Sequence, residues 1–146
     1  MTSEIPDGPW SLGQGECDGK PMFVRINTGA SLLAGKPRFE QRVGVSVPFR
    51  SPNANGFPRP EEGRVLDAIE DQLVDALTAA GAGIFVLAVT TAGMREFVFY
   101  TSDATASQSQ VEKVAQAIGS HTLQHVVEHD AEWDVFQQFV ESTDVE

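Results

Sequence analysis

Three histidines recur four residues apart, at His121, His125 and His129, and Asp130 follows the last of them. On a helix this spacing brings side chains to about 6 Å, close enough for imidazoles to share a metal ion. On a strand four residues span roughly 13 Å, too far for one ion. Thr122, Leu123, Val126 and Val127 favour a strand over 121–129, so a row of histidines is expected rather than a metal centre. The acids Asp67, Glu70, Asp71 and Asp75 form a second constellation. They fall on the polar side of a helical pattern and read as a solvated face, because nothing nearby completes the oxygen shell that calcium or magnesium takes. Cys17 is the single cysteine, which excludes an intramolecular disulfide and any multi-cysteine metal site. Its neighbours Glu16 and Asp18 disfavour a thiolate nucleophile. The sequence contains no nucleophile elbow, phosphate-binding glycine loop, dinucleotide fingerprint or HExxH pattern. The expectation leans away from an enzyme, with no cofactor.

Charge is distributed unevenly. The net charge is −11, yet Lys20, Arg25, Lys36, Arg38, Arg42, Arg50 and Arg59 stand against one acid, Glu40, in the segment 20–59. Beyond Lys113 there are seven acids and no Lys or Arg. An acidic chain of this kind does not neutralise phosphates, so no nucleic-acid partner is expected. Two binding surfaces are candidates. Arg25, Arg42 and Arg50, with the Ser51–Pro60 loop, would make a pocket for an anionic ligand if they converge. Glu132 and Asp134 around Trp133 would make an acidic surface for a basic protein, with Trp133 either a core anchor or an exposed contact. Arg95 and Glu96 add a charged pair at a hairpin tip.

These residues must be held by an α+β fold. The segments 10–16 and 22–27 alternate as short strands around Asp18-Gly19-Lys20-Pro21, predicting an N-terminal hairpin over about 10–28. In its second strand Phe23 and Arg25 share one face, and Val24 and Ile26 the other. Residues 28–39 read as loop, 41–49 as a strand carrying Val43, Val45 and Val47, and 51–60 as a proline-rich loop. A helix starts near Pro60, buries Leu66, Ile69, Leu73 and Leu77, and stops at Gly81 and Gly83. The segment 83–101 is a hairpin around Ala92-Gly93. A helix over 107–118, a strand over 121–129 and a final helix over about 131–141 follow, the last capped by Asp130 and carrying Trp133, Phe136 and Val140 on one face. Residues 142–146 are expected to fray.

The order strand, helix, strand, strand, helix, strand over about 41–129 predicts a ferredoxin-like (βαββαβ) antiparallel sheet. The hairpin and C-terminal helix are added to it, within one domain over 1–146. Ile84 to Val89 is apolar at every position, so this strand is expected to be buried on both faces. Its second face then needs a cover: the Trp133 helix, the hairpin or another subunit, the last making a homodimer. The acidic, proline-interrupted N-terminus reads as no signal peptide, and no apolar run reaches the ~20 residues of a membrane helix. The expected setting is the cytoplasm, away from membranes.

The run Met94-Arg95-Glu96-Phe97-Val98-Phe99-Tyr100-Thr101, the segment His129-Asp130-Ala131-Glu132-Trp133 and the early Trp10 resemble the bacterial domain-of-unknown-function 695 family. Phe49, Gly56, Pro58 and the Leu66-to-Glu70 helix are similar to its middle part, so the resemblance spans most of the chain. That family has no named activity and no known catalytic residue to carry over. The C-terminal part also looks like the fold of the ribonuclease E inhibitor B family, small acidic proteins that bind a nuclease. What this likeness implies is an interaction role through an acidic surface. A protein partner is therefore the leading expectation, and an arginine-lined ligand pocket the alternative.

Overall fold

The computed structural model describes residues 8–33, 38–142 and 144–145. In chain order the strands and helices are β1 (Trp10–Cys17), β2 (Lys20–Asn27), a 3-10 turn (Thr28–Leu33), β3 (Gln41–Pro48), α1 (Pro60–Thr78), a second 3-10 turn (Ala79–Gly81), β4 (Gly83–Thr91), β5 (Met94–Thr101), α2 (Ala104–Ala117), β6 (Gln124–His129), α3 (Asp134–Ser142) and β7 (Asp144–Val145). Two tight turns fix the hairpins. Asp18-Gly19 and Ala92-Gly93 are left-handed at both positions, with φ of 52° and 77° and of 52° and 82°. Turns of this kind match the right-handed twist of the strands they join.

The strands form one seven-stranded sheet in the order β6-β3-β5-β4-β2-β1-β7, every pairing antiparallel. This is wider than a simple four-stranded ferredoxin-like sheet, and its order as a whole differs from one. The hairpin is not an appendage. β2 pairs with β4 from Met22↔Thr91 to Ile26↔Leu87, so β1 and β2 extend the sheet sideways.

Side chains alternate across the sheet, and each face has its own core. Under α1 and α2 lie Val43, Val45, Val47, Phe85, Phe97 and Phe99, packed against Leu66, Ile69, Leu73 and Leu77 of α1 and Val111 and Val114 of α2. The opposite face gathers Met22, Val24, Ile26, Ile84, Val86, Val89, Val98 and Tyr100 beneath Phe39, Trp133 and Phe136. β4 is buried from Gly83 to Thr90, as its composition predicts. Its second cover comes from the Trp133–Phe136 region of the same chain, so this strand requires no second subunit.

Several boundaries differ from expectation, β1 and β2 among them, which run to Cys17 and from Lys20 rather than to 16 and from 22. α2 starts at Ala104 rather than 107, because the Asp103 side chain accepts the Ala106 N–H at 3.0 Å and caps the helix there. β6 starts at Gln124 rather than 121, since His121 is drawn toward α1. α3 starts at Asp134 rather than 131: Trp133 takes φ +58°, and the Asp130 carboxylate accepts from the N–H groups of Asp134 and Val135. Asp144 and Val145, expected to fray, pair with Gln14 and Gly13. The loop expected over 28–39 is a 3-10 turn in its first half, and Gly35, Lys36 and Pro37 lie outside the described residues. Glu146 lies outside them too. Among the described residues no helix is long and apolar enough to cross a membrane.

Candidate functional site

α1 and α2 cover the sheet from β6 to β4 and leave the β2–β1 flank of that face open. Cross-strand register sets what is displayed there. One row runs Leu12–Arg25–Ala88–Phe97 and the next runs Gln14–Phe23–Thr90–Arg95. Their outer members line a groove of about 380 Å³ against Asp67 of α1. Leu12 is 64% exposed and Phe23 is 47% exposed, the two most exposed large apolar side chains among the described residues. The 51–59 loop packs behind Phe23. Asn53 Oδ1 accepts from the N–H groups of Asn55 and Phe57, which turns the Phe57 ring onto Phe23 with centroids 5.0 Å apart. Gly56 (φ +82°) accepts the Gly93 N–H at 2.9 Å, and a side chain at Gly56 would meet the Ala92-Gly93 backbone at 3.0–3.3 Å. Contact this close requires glycine.

Two arginines in the groove differ in how far they are satisfied. The terminal nitrogens of Arg25 both reach Glu70, and its guanidinium lies 5.8 Å from the Trp10 ring. Arg95 donates its Nε to Thr90 Oγ1 at 2.9 Å, whereas its Nη1 stands 3.7 Å from the largely exposed Asp67, beyond hydrogen-bonding distance. Burial and the nearby Arg25 both pull the Arg95 guanidinium below its ordinary pKa, against the pull of Asp67 and Glu70. A cation so placed gains from an added anion.

The remaining predicted residues are scattered. Arg42 lies on the opposite face of β3, bonded to Glu128 at 3.1 Å and 3.7 Å from Asp130, so it does not converge with Arg25. Arg50 is exposed in the loop, and among the described residues its backbone N–H is what is engaged, by Glu62 at 2.6 Å. The expected pocket of Arg25, Arg42 and Arg50 is thereby corrected to Arg25 with Arg95. Arg95 and Glu96 are no pair, because neighbours along a strand point to opposite faces. Glu96 is half-buried beside Val89 and Ser46, where burial raises its carboxyl pKa against the pull of Arg42.

Trp133 is fully buried, which removes it from any binding surface. Its ring stacks on Tyr100 at 4.2 Å and 9°, and its Nε1–H donates to the Phe39 carbonyl at 2.8 Å. Tyr100 donates to Asp130 at 2.7 Å. Burial and this hydrogen bond raise the phenol pKa well above its usual range. Glu132, Asp134 and Glu141 are exposed.

The histidines do not meet. His121 Nε2 lies 2.6 Å from Glu62, His129 Nδ1 lies 3.0 Å from Gln41 Nε2, and His125 sits opposite Val45 in β6. Among the described residues no group of three or more His, Cys, Asp or Glu has the arrangement to hold a metal ion. Glu62 is the junction that sequence reasoning missed. It accepts from the N–H groups of Arg50 and Ser51 and from His121, tying the loop and the segment before β6 to the first turn of α1. Burial alone would raise its carboxyl pKa, but the Arg50 N–H, the His121 ring and the Ser51 N–H outweigh it and hold the carboxyl below the ordinary value. The groove lip was legible in part: Phe23 and Arg25 share a face by simple alternation, although nothing local says that face stays open.

The model of a family of unknown function, DUF695, matches residues 9–140, and the chain belongs to that family. A search of curated proteins and a search of solved structures each found no match.

Proposed function

We propose that this member of a family of unknown function works by binding, and that the groove beside α1 is where it binds. One observation carries the reading: a single concavity joins two exposed apolar side chains, Leu12 and Phe23, to the incompletely satisfied Arg95. Small-ligand sites are concave and largely apolar, with a few charged groups that fix orientation, and begin at volumes of about 300 Å³. The reading contains no catalytic step. The guanidinium groups of Arg25 and Arg95 only donate, and the lining holds no nucleophile paired with a base. Backbone amide NMR against a panel of small amphipathic anions tests it. Shifts at Leu12, Gly13, Gln14 and Thr90 that vanish in Phe23→Ser support the reading, and shifts confined to other regions defeat it.

A second reading is favoured by a separate observation. Glu132, Asp134 and Glu141 are all exposed, as are Asp67, Asp71 and Asp75 along α1. Together with the likeness to nuclease-binding ribonuclease E inhibitor B proteins, this supports a basic protein partner met on acidic surface, in a cytoplasmic setting. Capture of such a partner should be lost on Glu132→Lys with Asp134→Lys and Glu141→Lys, and kept by groove variants. The same partners after charge reversal would sink it. As for the frame, we read β3–α1–β4–β5–α2–β6, whose strands lie in the order β6-β3-β5-β4, as a ferredoxin-like unit widened by the hairpin.

A further inference from the structure

We infer that the groove selects an apolar monocarboxylate, held by Arg95, and that Asp67 is the internal competitor this ligand displaces. The inference rests on the groove being the binding site. Its first support is the inequality of the two arginines. Arg25 is closed by Glu70 on both terminal nitrogens, so it contributes field rather than contacts. Arg95 spends its Nε on Thr90, and its terminal amino groups carry no hydrogen bond among the described residues, Nη1 standing 3.7 Å from Asp67. A planar carboxylate can take two of those donors side by side, a geometry that suits guanidinium.

The second support is the sign of the surroundings. α1 presents Asp67, Glu70 and Asp71 along this side. A single negative charge offsets Arg95 and replaces Asp67. A dianion such as a phosphate monoester would bring a second charge that these acids repel. The third support is the lip. Leu12 and Phe23, with Ala88 on the floor, favour an apolar body over a sugar or a polar metabolite. Asp67 is 74% exposed, so it can swing into water when displaced.

The test uses one apolar body with three heads: 4-phenylbutyrate, 4-phenylbutanol and 4-phenylbutyl phosphate, titrated into the whole chain by amide NMR. 4-Phenylbutyrate should bind best and shift Leu12, Gly13, Gln14 and Thr90. Arg95→Gln should weaken it about tenfold, the loss expected for a charge-assisted hydrogen-bonded pair. Arg95→Lys should recover only part of that loss. Asp67→Asn, a surface change that leaves the fold intact, should tighten binding about threefold by removing the competitor. No shift from any probe overturns the groove reading itself. Equal binding of the alcohol, tighter binding of the phosphate, or unchanged affinity in Asp67→Asn overturns the carboxylate inference while the groove reading stands.

Discussion

The two faces of the sheet treat the same strands differently. Over β5 and β4 the α3 side is sealed by Trp133, which stacks on Tyr100, meets Phe136 edge-on at 80° and donates to Phe39. On the other side α1 and α2 stop short, and the rows that continue into β2 and β1 carry Leu12 and Phe23 at the surface. Both faces carry an arginine held by one hydrogen bond and by a carboxylate 3.7 Å away: Arg42 by Glu128 and Asp130, Arg95 by Thr90 and Asp67. Closure by large aromatics fills the space over the strands, and incomplete closure leaves a concavity that something else can enter. What separates the two arginines is setting, since Arg95 lines the groove with Leu12 and Phe23.

The comparison breaks most visibly at the sealed face. Trp133→Ala should destabilise the fold by about 3–5 kcal/mol, the range for emptying a large buried aromatic site, read as a fall in denaturation midpoint. Tyr100→Phe keeps the ring stack and removes the bond to Asp130, and should cost about 1–2 kcal/mol, or a few degrees in Tm. Glu62→Gln should cost about 0.5–1 kcal/mol at pH 7, a hydrogen-bonded carboxylate discounted for solvent screening. The sign follows from its depressed carboxyl. Its contribution is present above the unfolded value near 4.5 and is lost as pH falls through the lower folded value. Unfolding curves of the variant and the parent should therefore converge in acid. Leu12→Ser at the open face should change stability by less than about 0.5 kcal/mol while weakening any groove ligand. If Leu12→Ser instead costs as much as Tyr100→Phe, the open face is closed in solution.

Local signals carried the elements, and their limits are physical. Asp18-Gly19 and Ala92-Gly93 announced both hairpins because left-handed turns are a matter of two residues. The stripe Leu66, Ile69, Leu73, Leu77 announced α1 and its buried face. The all-apolar run in β4 correctly demanded two covers. The pairing of β2 with β4 was not legible, since nothing local says which strand edge takes β2. For the same reason the sequence grouped Arg25 with Arg42 and Arg50, three neighbours in the basic segment, rather than with Arg95. Two strands of register, not sequence proximity, bring Arg25 and Arg95 together. Trp133 read as an α3 residue because period alone cannot see its positive φ.

The β2–β4 seam also joins segments far apart in the chain. β4 and β5 meet across a two-residue turn, whereas residues 22–26 must find 87–91 after β3, α1 and their loops have been laid down between them. Closing so long a loop costs more entropy than the turn does before any bond of the ladder is gained. The groove floor straddles that seam, with Phe23 on one side and Thr90 on the other. A chain whose β2 has not joined β4 therefore lacks the groove floor, and anything the groove binds acts only on molecules in which this seam is closed.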